Sequence, residues 1–185
     1  LIFQNGKANL KKIGICGTHL MVYNKVVKII KANSNHVNYI FKWLNNKNIK
    51  KNLSSNIRVN FISKSLIKIT VKRKDQMWYI IKYKEKFAGM IVLDDLDTID
   101  KICNIWYLIG EELFLGKGIM TYSINEVLNK NPFNLDVVTA WCSSKNKSSI
   151  KCLQKTGFKK VGTIHQSFKS EGNNNRIIFE KLLNA

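Results

Sequence analysis

The chain has 185 residues, 45% apolar and 23% charged, with 31 Lys and Arg against 12 Asp and Glu. That length and apolar fraction fit one compact domain with a short appendage and exclude wholesale disorder. The longest uncharged apolar stretch, Phe87–Leu93, has seven residues, far short of the roughly 18 that a membrane-spanning helix needs.

The basic excess is uneven. Residues 1–74 carry 16 Lys and Arg and no Asp or Glu, whereas the other 111 residues hold 15 basic and 12 acidic ones. Such a block attracts anions, including nucleic acid and nucleotide phosphates. Compositional drift in a chain rich in Lys, Asn and Ile produces the same pattern. Cys16, Cys103, Cys142 and Cys152 form no CxxC pair, and no His stands at zinc-ligand spacing. No metal site is expected, and reduced thiols in a cytoplasmic protein are. The chain opens without an initiator Met and without the basic-then-apolar profile of a secretory signal. Residues 1–24, broken by Gly6, Gly14 and Gly17, are therefore expected to be an extension or the remnant of a preceding domain. The functional domain is expected over residues 25–185.

In chain order, Val26–Ile30 reads as a strand. Asn33 or Ser34 can cap a helix whose Val37, Ile40, Phe41 and Leu44 recur at helical spacing. A second helix is predicted over Phe61–Arg73, with Ile62, Leu66 and Ile69 on its apolar face. Three strands follow, Met77–Tyr83, Phe87–Leu93 and Ile102–Ile109, the last two joined by an acidic turn over residues 94–100. That turn lacks the ligand order and the glycine of a calcium loop. A helix is predicted over Ile119–Asn129, a strand over Asn134–Trp141, a helix over Asn146–Thr156, and strands over Phe158–Ile164 and Arg176–Leu183. The order β-α-α-β-β-β-α-β-α-β-β defines a mixed α/β chain.

Two stretches carry chemistry. In Leu115-Gly116-Lys117-Gly118-Ile119-Met120-Thr121, two glycines let the backbone approach a ligand just before a helix whose first N–H groups lack partners. That arrangement seats an anion such as a pyrophosphate; a glycine-containing helix entry with no ligand has the same sequence. The second stretch, Asn146-Lys147-Ser148-Ser149 leading to Lys155-Thr156-Gly157-Phe158, begins about 30 residues later.

Taken together, GKGIMT followed by NxxS…KxGF resembles the Gcn5-related N-acetyltransferase (GNAT) family, and within it the RimL/RimJ type that acetylates α-amino groups. The resemblance spans roughly residues 25–183 and implies a mostly antiparallel, twisted sheet flanked by helices, with two splayed central strands. It implies acetyl-CoA as donor. Leu115, Gly116, Lys117, Gly118, Ile119, Met120 and Thr121 would grip its pyrophosphate through backbone N–H groups. Backbone groups of Tyr107, Leu108 and Ile109 would hold the pantetheine and polarise the acetyl carbonyl. Asn146 would bond the pantetheine arm and Ser149 would lie near the sulfur. Leu153 stands where many relatives carry a tyrosine that protonates the departing thiolate, which leaves Ser149 as the nearest substitute or as a helix-packing serine.

Direct attack needs a neutral amine. At neutral pH this costs about 1 kcal/mol for an α-amine and about 4–5 kcal/mol for a lysine-like amine, so an α-amine manages with a weak base. Glu171, Glu112 and His165 are the candidate bases, Glu171 foremost. Trp43, Phe61 and Trp106 are candidate acceptor-contacting aromatics, stacking on a planar group or serving as core. The acceptor implied is an aminoacyl compound, a nucleotide-like antibiotic or a protein N-terminus. The missing start and biased composition resemble microcin C self-immunity acetyltransferase domains fused to another enzyme. An amino sugar or polyamine acceptor stays open, as does a non-enzymatic nucleic-acid-binding module that uses the basic half.

Overall fold

A computed structural model describes residues 26–53, 61–168 and 174–184. Residues 1–24 and Glu171 lie outside the described residues. Seven described strands form one sheet: β1 (Val27–Lys31), β2 (Met77–Tyr83), β3 (Lys86–Asp97), β4 (Ile102–Ile109), β5 (Val137–Ser143), β6 (Lys159–Phe168) and β7 (Asn174–Leu182), in the order β1-β2-β3-β4-β5-β7-β6. Each neighbouring pair is antiparallel except β4 and β5, which run parallel. The expected mixed, mostly antiparallel sheet is present.

Alternation along the strands divides the core into two layers, because successive side chains point to opposite faces. On one face Trp78, Ile80, Met90, Val92 and Leu108 pack under α1 (Val37–Asn45), the short α2 (Lys47–Lys50) and α3 (Lys64–Thr70). On the other, Ile81, Ile91, Leu93 and Ile105 pack under α4 (Ile119–Lys130) and α5 (Lys147–Lys155). Strand β3 is covered on both faces, which explains its unbroken apolar run from Phe87 to Leu93.

Three expectations needed correction. The second helix starts at Lys64 rather than Phe61, because the Ser63 hydroxyl caps it by accepting from the Leu66 N–H at 3.1 Å. In that register Ile67 is buried, whereas Leu66 and Ile69 are exposed. The acidic turn shrinks to residues 98–101, and Asp94 and Asp95 belong to β3. Asp97 makes the turn: its carboxylate accepts from the N–H groups of Ile99 at 2.8 Å and Asp100 at 2.9 Å. Strand β5 begins at Val137 instead of Asn134. The Asn131 side chain holds Leu135 in a turn through two 2.8 Å bonds, one to its N–H and one to its C=O.

Candidate active site

The parallel ladder between β4 and β5 ends early. Only Ile102↔Val137, Cys103↔Val138 and Asn104↔Thr139 are paired. Beyond Asn104, β4 follows β3 as far as Ile109, and β5 follows β7 as far as Ser143. The two strands part, and the groups of residues 105–109 that face β5 lose their ladder partners. Backbone donors and acceptors left this way call for a ligand or water. A cleft of about 1120 Å³ opens there, lined by β4, Ala140–Cys142, residues 114–121 and the exposed side of α5.

At one end of the cleft the wall is backbone. Gly116 and Gly118 have φ of +71° and +72°, in the left-handed region that glycine enters without strain. Gly118 is the N-cap of α4, and no side chain caps that helix. Its first N–H groups thus remain available to an anion. Leu115, Gly116, Lys117, Gly118, Ile119, Met120 and Thr121 all line the cleft, and Lys117 Nζ lies 5.9 Å from the centre of the Phe114 ring.

The second motif defines both ends of α5. Asn146 caps the start, its side-chain oxygen accepting from the Ser149 N–H at 3.1 Å. At the far end Gly157 has φ +85°, with Phe158 N–H bonded to Leu153 O at 3.0 Å and Gly157 N–H to Gln154 O at 3.1 Å. This left-handed closure favours glycine. Lys181 Nζ adds a 2.8 Å bond to Thr156 O. With both ends fixed, Ser149 is held in the first turn, where it lines the cleft.

Tyr107 reaches Ser149 from the opposite wall. Its hydroxyl lies 2.9 Å from Ser149 Oγ and 3.3 Å from Ser149 O. Sequence reasoning credited Tyr107 with its backbone alone; strand alternation could have shown its side chain directed toward α5. Burial, chiefly, pushes the phenol above its ordinary range, so it stays protonated and able to donate. Burial also raises Cys152, and it pushes Cys142 up to about 11, so both remain thiols at neutral pH. Leu153 is buried in the core beneath α5.

The other face of the notch is aromatic. Trp78 and Trp106 meet edge to face, 5.5 Å apart at 84°. Trp78 Nε1 donates to Gln76 Oε1 at 2.9 Å, and the Trp106 indole lies close enough to the Asp94 carboxylate to favour its charge. Trp106 lines the cleft.

Trp43 does not. It is fully buried, with its indole N–H bonded to Glu111 Oε1 at 2.9 Å. Gly110 presses on its ring so closely that an added Cβ would lie 2.2 Å from Cε2. No face of Trp43 is left for an acceptor, and its role is core. Phe61 is 71% exposed, stands edge to face with Phe41 at 5.6 Å, and is not among the lining residues. Of the candidate bases, Glu112 lines the cleft beside the glycine loop, and His165 is exposed on β6 away from it. Asp94 went unnoticed as a site residue because the acidic run was read as a solvated turn, and Gln76 because nothing local marks the residue before a strand.

A sequence profile of the acetyltransferase (GNAT) domain matches residues 27–159. The chain belongs to the GNAT family of acetyltransferases. It is accordingly an N-acetyltransferase that uses acetyl-CoA as donor, which displaces the alternative of a non-enzymatic nucleic-acid module. Among solved structures it is similar to the microcin C7 self-immunity acetyltransferase MccE in complex with acetyl-CoA and AMP, at 25% identity and TM-score 0.71 over 86% of this chain and 93% of that one. Its fold is shared with RimL, the ribosomal L7/L12 α-N-protein acetyltransferase in complex with coenzyme A, at 17% identity and TM-score 0.70 over 85% and 94%. It is shared too with spermidine N-acetyltransferase from Vibrio cholerae with CoA and spermine, at 15% identity and TM-score 0.75 over 86% and 97%. A comparison with curated proteins finds no match. Among the described residues, no helix is long and apolar enough to cross a membrane.

Proposed function

We propose that the protein transfers acetyl from acetyl-CoA to a primary α-amine, carried by an aminoacyl compound, an aminoacyl antibiotic or a protein N-terminus. The observation that carries this reading is the notch: a strand stripped of its ladder partner beyond Asn104, next to an uncapped helix entry. The fit to the donor is chemical. N–H groups from Gly116 to Thr121 suit a pyrophosphate, and the backbone of Tyr107 and Ile109, which faces the parting from β5, suits the amides of pantetheine, whereas Leu108 turns its backbone to Met90 on β3. With its oxygen engaged in the cap, Asn146 has its amide N–H groups left to offer the same arm.

In this reading the thioester lies where β4 and β5 part. The amine lone pair forms the N–C bond, and collapse of the adduct breaks the C–S bond, sending its electron pair to sulfur. Sulfur takes a proton from the Tyr107 hydroxyl, which Ser149 and water replenish. Tyr107 thereby supplies from β4 the phenol that Leu153 does not supply from α5. The likeness to MccE, whose complex holds acetyl-CoA and AMP, supports an acceptor with a planar or nucleotide-like body. Residues 25–185 form the catalytic domain in this proposal, and residues 1–24 precede it.

Thermal unfolding with ligands tests the reading. Acetyl-CoA at about 100 times its Kd raises stability by about 2.7 kcal/mol, whereas an oligonucleotide gives no comparable shift. Mass spectrometry of acetyl transfer to aminoacyl-nucleotides, N-terminal peptides, polyamines and amino sugars then ranks the acceptors. Stabilisation by oligonucleotide with none by acetyl-CoA contradicts the proposal.

A further inference from the structure

Asp94 occupies a position that the reaction needs filled. It stands opposite Asn104, the last β4 residue still laddered to β5, and so marks the apex of the notch. The registers Trp78↔Val92↔Trp106 and Asp94↔Asn104 put Trp78, Asp94, Asn104 and Trp106 on one face of the sheet. Tyr107 is on the opposite face, with Ser149. The thioester's position therefore separates a hydroxyl pair on one side from a carboxylate and two indoles on the other. Two residues of strand, about 7 Å, separate Asn104 from Trp106.

Asp94 also has the right electrostatics for a base. Among the described residues it forms no ion pair: Arg73, the nearby guanidinium, is taken by Asp75. Its contacts are the Trp106 indole and the Asp95 N–H at 3.1 Å. Burial first, then repulsion from Asp95 and Asp75, lifts its pKa above the ordinary carboxylate range. In a chain of formal charge +19, an ammonium is repelled over most of the surface; at the notch it meets an unneutralised carboxylate.

We propose that Asp94 binds the acceptor's ammonium and takes its proton, with Trp78 and Trp106 as the wall that holds the adjoining apolar or aromatic part of a singly charged amine. The inference rests on the acetyl-transfer reading above. One proton of the ammonium passes to the Asp94 carboxylate and on to solvent. The freed lone pair attacks, and the second proton leaves as the amide forms, replacing the one that Tyr107 gave to sulfur. Amine, thioester, amide, thiol and one released proton balance. The charged groups around Asp94 are Asp95 on its own strand and Asp75 and Arg73 before β2, while Lys51 lines the same cleft from the helical side. Cys103 on β4 also feels its charge.

The test uses phenylalaninamide as probe, spermidine as the polycationic comparison, and Asp94→Asn and Asp94→Glu in the full chain. Acetyl-CoA-induced thermal stabilisation is measured first. If the wild type shows none, the acetyl-transfer reading itself fails; if Asp94→Asn keeps it, the variant is folded and the donor site intact. The proposal then expects tryptophan fluorescence titration to show phenylalaninamide binding at least about tenfold weaker in Asp94→Asn. It expects kcat/KM at neutral pH to fall about 100-fold or more, the acid limb of the wild-type pH profile to vanish, and Asp94→Glu to restore part of the rate. Equal binding and equal kcat/KM in Asp94→Asn overturn the proposal, and so does preference for spermidine over phenylalaninamide.

Discussion

The two ends of the cleft are built from different materials. The donor end is mostly backbone: a glycine loop with two left-handed residues, an uncapped helix start and a strand edge without a partner. The acceptor end is side chains: Gln76 and Trp78 at β2, Asp94 on β3, Asn104 and Trp106 on β4, with apolar residues from α1 to α3 opposite. Backbone sites depend on conformations that few sequences adopt, so they tolerate substitution poorly. Side-chain sites can be altered one residue at a time while the sheet beneath them persists, so acceptor choice can change while the donor stays the same.

This contrast sets the expected size of each perturbation. Gly118→Trp strikes the donor end hardest. A bulky side chain at φ +72° both strains the helix entry and fills the phosphate seat. Calorimetry is expected to detect no acetyl-CoA binding, while far-UV circular dichroism stays native; undiminished affinity would put the seat elsewhere. The hydroxyl pair comes next. Tyr107→Phe or Ser149→Ala alone is expected to slow turnover about tenfold, roughly 1.4 kcal/mol, because the remaining hydroxyl and water substitute. The double variant is expected to lose about 100-fold or more, with the donor's KM little changed. If one single variant costs as much as the double, that hydroxyl acts alone.

Smaller effects probe the framework. Gly110→Ala forces a methyl group into the Trp43 ring and is expected to cost about 1–3 kcal/mol in urea unfolding, since Trp43 is buried in the core. Asp94→Asn is expected to raise the unfolding midpoint slightly at neutral pH. The sign follows from linkage: a carboxyl whose pKa is raised by folding binds its proton more tightly in the native state, so its contribution to stability falls as pH rises from the ordinary carboxylate pKa through the raised value. The stabilisation should shrink toward about pH 3, where the carboxyl is protonated in both states. A variant that is less stable at neutral pH contradicts this.

The same contrast explains what the sequence disclosed. Gly116, Gly118, Asn146 and Gly157 were legible because each meets a local backbone demand: a left-handed residue, a helix cap or a helix closure. The succession of strands and helices along the chain was legible from alternation and apolar runs. Asp94 was not, since the start and end of a strand are weakly encoded and an Asp-rich run resembles a turn. Trp43 illustrates the reverse error. At helical spacing a tryptophan is more often core than platform, and the glycine that packs against it, 67 positions away, decides for core. Side-chain sites assembled from β2, β3 and β4 require the register, which no local pattern contains.

A crystal structure of the acetyl-CoA complex tests the whole account most directly. The donor's diphosphate should lie on the N–H groups of residues 116–121, and its sulfur should stand between β4 and β5 within hydrogen-bond reach of the Tyr107 and Ser149 hydroxyls. A diphosphate bound away from that loop, or a sulfur remote from both hydroxyls, would contradict it.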